Sequence, residues 1–304
     1  MGHITYWFVH MALKRRKIYS AGLIGAGIGS SLSPALHERE ARRLGFESRY
    51  LLLDLERLGR APAETGQLVR EARELGLAGV NVTHPSKQLI VPELDDLSDE
   101  AAALNAVNTV VFEGDRLVGH NTDTTGFREA FVRGLPGAAV DRVVVLGAGG
   151  AGAAVAHAML TMGTHELSIV DVDGERSREL AAAVVRRFGA SRVCAADPSA
   201  LVLLLAEADG LVHATPVGMD AYPGTAVPPE LLRPALWVAE VVYMPLETRL
   251  LRDARARGCR TLSGAAMVAL QAAGSMERFL GVRPNRERML AHVEQLTADA
   301  RQAA

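Results

Sequence analysis

Four glycines within six residues, Gly147, Gly149, Gly150 and Gly152, constrain this chain more than any other feature. Just before them stand Val143, Val144, Val145 and Leu146, an apolar and mostly β-branched run that reads as a strand buried on both faces. An alanine-rich helical stretch follows and runs to Gly163, a natural C-terminal stop. A second strand over residues 167–170 ends on Asp171. Strand, glycine-rich turn, helix and strand in this order form the start of a dinucleotide-binding unit. A pyrophosphate must approach the backbone N–H groups at the helix N-terminus, and a Cβ would stand in its way. Gly147, Ala148, Gly149, Gly150 and Ala151 are therefore the expected cofactor-facing turn. Asp171 lies about 20 residues beyond it, where a carboxylate accepts hydrogen bonds from both ribose hydroxyls and repels a 2′-phosphate. The expected cofactor is NAD, with NADP less favoured. The competing explanation, a tight turn that needs glycine for packing alone, accounts for the glycines but not for the acid.

About 140 residues precede this unit, so another domain must come first. The chain has 304 residues, 49 % of them apolar, enough for two cores. Its formal net charge of −2 argues against a nucleic-acid groove or a polybasic membrane surface. The run Lys14, Arg15, Arg16, Lys17 reads as a solvated arm. Residues 1–13 contain Trp7 and Phe8 but lack the small-residue cleavage pattern of a signal peptide. The two cysteines, Cys194 and Cys259, are far apart and in no C-x-x-C pattern, which points to a reducing, cytoplasmic compartment and no structural metal. No apolar run approaches the roughly 18 residues of a membrane span.

Taken in order, residues 19–24 form a first strand, followed by a glycine-rich loop. Ser33 and Pro34 then read as N-cap and first residue of a helix that stops at Gly45. Residues 49–54 are a strand, 64–75 a helix and 77–82 a strand ending in Asn81-Val82-Thr83-His84-Pro85-Ser86-Lys87. Open α/β sheets bind ligands at such strand ends. Taken alone, Lys87 is a surface lysine and His84 a turn residue. Residues 94–104 read as helix, 106–112 and 116–119 as a hairpin. Asp123, again alone, serves equally well as a cap for the helix that follows. Beyond Asp171, helices are expected over 176–188, 247–257, 265–280 and 286–300, and strands over 208–214, 237–243 and 258–262.

Together these motifs resemble the shikimate dehydrogenase family. Its S-x-S-P stands at residues 31–34, N-V-T-x-P-x-K at 81–87, A-V-N-T at 106–109 and N-T-D at 121–123. G-A-G-G follows at 147–150, a variant of N-A-T at 213–215 with His213 in place of asparagine, and G-x-x-M-x-x-x-Q at 264–271. The segments VVYMPLET and GMDAYPGTA are most similar to the NAD-preferring quinate/shikimate dehydrogenase branch. The resemblance implies two α/β domains with a cleft between them, the second a Rossmann-type doubly wound parallel sheet. Residues 1–124 with 266–304 would bind substrate and 125–265 the cofactor.

It further implies that Lys87 is the acid/base and Asp123 its partner. Ser31, Ser33, Thr83, Asn108, Asn121, Tyr243 and Gln271 would hold the hydroxyls and carboxylate of a cyclohexane or cyclohexene acid. Thr215, Val241 and Gly264 would join the glycine turn and Asp171 around NAD, and Arg176 keeps some tolerance of NADP. The implied reaction is reversible oxidation of a ring hydroxyl to a ketone, favoured in the oxidative direction at alkaline pH because Lys87 must accept the proton. Two other readings stand beside it: an aminoshikimate-type dehydrogenase and a catalytically idle NAD-binding module. A homodimer is compatible with all of them.

Overall fold

The computed structural model describes residues 18–189 and 192–303, with side chains up to residue 298. The basic run 14–17 and the stretch holding Trp7 and Phe8 lie outside the described residues. The first half runs β1 (Ile18–Gly25), α1 (Ser33–Arg43), β2 (Glu47–Asp54), α2 (Thr65–Glu74), β3 (Gly79–Val82), β4 (Asp96–Leu97), α3 (Asp99–Leu104), β5 (Thr109–Glu113) and β6 (Arg116–His120). Its sheet has the order β2-β1-β3-β5-β6-β4. β1, β2 and β3 are parallel, whereas β5 runs antiparallel to both β3 and β6. α4 (Thr122–Gly134) leads into the second half.

That half runs β7 (Arg142–Leu146), α5 (Gly150–Thr161), β8 (Glu166–Val170), α6 (Gly174–Phe188), β9 (Val193–Ala196), α7 (Leu201–Glu207), β10 (Gly210–His213), β11 (Trp237–Glu240), α8 (Arg249–Ala256) and β12 (Arg260–Leu262). All its strand pairs are parallel, in the order β12-β11-β10-β7-β8-β9. This is the doubly wound arrangement, whose order reverses between β7 and β10. Alternation along β7 explains the two helical layers. Val143 and Val145 enter one core with Phe131, Val155 and Met159, while Val144 and Leu146 enter another with Leu205, Leu211 and Leu250. α9 (Gly264–Leu280) then returns to the first half, and α10 (Arg286–Ala303) closes the chain. α9 divides its apolar residues among several cores: Met267 and Leu270 face the second half, and Met276 and Phe279 the first.

Several local expectations change. The helix expected from residue 94 begins at Asp99, because Ser98 caps it by accepting from Ala101 N, and β4 occupies the stretch before it. The strand expected over 237–243 ends at Glu240. β9 and α7 fall where no element was expected. They are four and seven residues long, too short to show a clear period. Among the described residues no helix is long and apolar enough to cross a membrane.

Candidate active site

The segments that follow β3 and β7 come together at Lys87 and Gly150. After β3 the chain turns through residues 84–90. Lys87 is fixed there by its carbonyl, which accepts from Val107 N at 2.8 Å. Its ammonium donates to Asp123 Oδ2 at 2.6 Å. Asp123 does not cap α4. Asn121 does, accepting from the N–H groups of Asp123 (3.1 Å) and Thr124 (3.4 Å). That arrangement leaves the Asp123 carboxylate free to face Lys87.

Asn108 supports the pair from below. Its Nδ2 donates to Asp123 Oδ1 and to Thr122 Oγ1, both at 2.9 Å, and its Oδ1 accepts from Thr122 N at 2.8 Å. Asn81 donates to the Asn108 carbonyl and to Thr109 Oγ1, both at 3.1 Å, and accepts from the Tyr50 hydroxyl at 2.8 Å. Burial pushes the Tyr50 phenol well above its ordinary range, a hydrogen bond with Ser33 opposing the rise. It therefore stays a neutral donor. The amides of Asn108 and Asn121 are both buried and spent on the protein; Asn121 Nδ2 donates to the Ala106 carbonyl at 3.0 Å. Ser31, Ser33, Thr83, Lys87 and Gln271 are half-buried, each with part of its surface open to solvent. Ser33 is the first residue of α1, and the N-cap position falls on Leu32. This corrects the capping expectation: Ser31 Oγ accepts from Ser33 N at 3.2 Å and orders the helix start.

The second half supplies the opposite wall. Gly147 has φ +110°, and a Cβ on it would press within 2.7 Å of the Ala214 carbonyl. At Gly152 a Cβ would meet the Gly147 carbonyl at 2.0 Å, so this glycine lets α5 pack onto the turn. Gly149 is different. Its Cβ position has nothing within 4 Å, and it precedes α5 with the helix N-terminus beside it. This is an exposed cradle of backbone N–H groups with room for a diphosphate, so the residues present fit a dinucleotide. Asp171, at the end of β8, accepts from Ala148 N at 2.7 Å and from Asp173 N at 2.9 Å. Asp173 caps α6 and holds Arg176 at 3.4 Å. A Cβ on Gly150 would stand 3.9 Å from Lys87 Cδ, which places the turn against the Lys87 stem.

Tyr243 packs in one apolar cluster with Leu32 and Val268, beside the S-x-S-P segment, and burial raises its phenol pKa. Val241 is fixed by Gly264, where a Cβ would meet the Val241 carbonyl at 2.3 Å. Gln271 lies on α9 where Gly126 of α4 touches its backbone. Thr215, half-buried, follows β10 and packs its methyl toward Gly147. Sequence reasoning missed Tyr50, Thr122 and Glu240. Glu240 carried a usable signal, an acid closing an otherwise apolar strand.

Residues 23–110 match the family model of the shikimate dehydrogenase substrate binding domain. A shikimate dehydrogenase (NADP(+)) of Streptomyces avermitilis is 58 % identical over 282 residues, which cover 93 % of this chain and 97 % of that protein. A quinate/shikimate dehydrogenase (NAD(+)) of Corynebacterium efficiens is 45 % identical over 271 residues, 89 % of this chain and 95 % of that one. Among solved structures, quinate dehydrogenase from Corynebacterium glutamicum in complex with NAD superposes with a TM-score of 0.87 at 41 % identity, covering 91 % of this chain and 98 % of the other.

Proposed function

Because this chain belongs to the shikimate dehydrogenase family, we propose that it catalyses the reversible, NAD-preferring oxidation of shikimate, quinate or both to the 3-dehydro ketone. The observation that carries this reading is the Lys87–Asp123 contact at 2.6 Å, on the side of the glycine turn where a Cβ on Gly150 would come 3.9 Å from Lys87 Cδ. NAD, held by the glycine turn and Asp171, would supply the hydride acceptor for the ring carbon. Lys87, as the neutral amine, takes the hydroxyl proton in oxidation and, as the ammonium so formed, returns it to the ketone oxygen in reduction. Asp123 keeps the ammonium aimed at that oxygen, and Asn108 fixes Asp123 in turn. Ser31, Ser33, Thr83, Tyr243 and Gln271 bind the hydroxyls and carboxylate of the ring. Asn121 acts by capping α4. Each substrate hydroxyl buried without a partner would cost roughly 1–3 kcal/mol, which accounts for so many small polar side chains around the cleft.

The NAD preference rests on Asp171. A carboxylate just after β8, holding the glycine turn through Ala148 N, would repel a 2′-phosphate, and Arg176 is engaged by Asp173. The relatives named above include both NAD(+) and NADP(+) enzymes. The same reading assigns residues 1–124 with 266–304 to the substrate half and 125–265 to the cofactor half, α4 and α9 crossing between them. The test is initial rate, by reduced-nicotinamide absorbance, for shikimate or quinate with NAD⁺ or NADP⁺. Activity with NAD⁺ on either acid supports the reading. Activity with NADP⁺ alone overturns the Asp171 assignment, and silence in all four combinations overturns the substrate.

A further inference from the structure

We propose that the buried His213–Glu240 pair is a positioning brace that locks together the two loops on which the nicotinamide half of the cofactor rests. This inference builds on the function proposed above. His213 closes β10 and Glu240 closes β11, and the two are register partners on adjacent strands. Both side chains are essentially inaccessible, at 1 % and 0 % exposure. His213 Nδ1 lies 2.8 Å from Glu240 Oε1, and its Nε2 is hydrogen-bonded to the Thr215 hydroxyl. The same carboxylate accepts from Val242 N at 3.0 Å and from Thr248 Oγ1 at 3.1 Å. Thr215 Oγ1 in turn accepts from Val217 N at 3.3 Å. Two side chains therefore gather the 215–217 loop and the 241–248 loop into one hydrogen-bonded unit.

The sheet order says what that unit supports. Asp171 marks the adenosine side, on β8. A dinucleotide whose diphosphate lies over the turn after β7 must extend its other half toward β10 and β11, the strands on the far side of β7. Those strands end in His213 and Glu240. A Cβ on Gly147 would meet the Ala214 carbonyl at 2.7 Å and the Thr215 methyl at 3.0 Å, so the braced loop packs closely against the turn itself. The resemblance places asparagine where this chain has His213. An imidazole carries ring nitrogens on opposite edges, so one side chain bridges a carboxylate to a hydroxyl. Removing it leaves a buried carboxylate short of a partner and uncouples the two loops.

Calorimetric titration with NAD⁺ and with ADP-ribose, which lacks the nicotinamide, tests this without turnover. His213→Ala is expected to weaken NAD⁺ about tenfold while ADP-ribose stays within about twofold. His213→Gln, which keeps a donor and an acceptor, is expected to recover most of the loss. If His213→Ala does not fold, Thr215→Val at the half-buried end of the network is expected to show the same split. Equal losses for both ligands, or no loss for either, would overturn the brace. A wild-type protein that binds NAD⁺, shows the split in its variants and oxidises neither acid would overturn the proposed substrate and leave the brace standing.

Discussion

Lys87 Nζ and Asp123 Oδ2 stand 2.6 Å apart although 36 positions separate them in the chain. Neither group is fully buried, at 21 % and 10 % side-chain exposure. Asp123 is held at its second oxygen by Asn108, and Lys87 at its carbonyl by Val107. The A-V-N-T segment thus secures both members of the pair from one strand entrance.

Lys87→Ala should lower kcat by about 10²–10⁴-fold with KM for shikimate changed severalfold at most, as expected for a group that acts on the transferred proton. Steady-state rates check this. A variant that lost affinity and kept its turnover would make Lys87 a binding residue.

Asn108→Ala should harm both stability and turnover. It removes the donor to Asp123 Oδ1 and leaves Thr122 N without its acceptor in a buried site. The expected loss is about 2–4 kcal/mol in urea unfolding, with kcat down at least about tenfold. Lys87→Ala, by contrast, should unfold like the parent protein.

Asp171→Ala should raise KM for NAD⁺ about tenfold and lower the NAD⁺ to NADP⁺ ratio of kcat/KM. The carboxylate also receives Ala148 N, so part of the loss reflects a loosened glycine turn. An unchanged ratio would remove Asp171 from the ribose site.

Glu40→Ala should loosen the contact between α1 and α10. Glu40 is 3 % exposed and accepts from Asn285 N at 2.8 Å and twice from Arg288, at 2.6 and 3.1 Å. About 2–3 kcal/mol is expected from thermal or urea unfolding, less than for a fully buried ion pair because Arg288 stays half-exposed. A change within about 0.5 kcal/mol would show the contact to be energetically idle.

Acid should destabilise the first half before most carboxylates titrate. Burial holds His37 down at about 3, and burial with Arg278 nearby holds His120 at about 4, against an ordinary value of 6.5. Below pH 6.5 the unfolded chain binds these protons and the folded chain does not, so stability is complete above 6.5 and falls as pH drops. For His37 the slope is about 1.4 kcal/mol per pH unit until pH nears 3. His37→Gln should flatten the profile of unfolding free energy between pH 6.5 and 4. A profile identical to that of the parent protein would refute the assignment.

The sequence by itself determined the elements whose signal lies in adjacent residues. β7, α5 and β8 were readable because an apolar run, a glycine turn, a helical alanine stretch and a closing acid follow one another without interruption. The β5–β6 hairpin was readable for the same reason, from the Glu113-Gly114-Asp115 turn. Motif spacing likewise brought Lys87 and Asp123 under suspicion, through a resemblance and not through any local signal. Tertiary structure alone decided what each polar side chain spends its hydrogen bonds on. Asn121 caps α4 and Asp123 does not; Asn108 donates to Asp123 and Thr122; Ser31, and not Ser33, orders the helix start. His213 and Glu240 meet because β10 and β11 are neighbours in a sheet whose order the chain does not spell out. Local periodicity fixes an element through near neighbours, whereas these partners lie from two to several tens of residues away. Which of several competing acceptors a buried donor takes is settled by the packing around it.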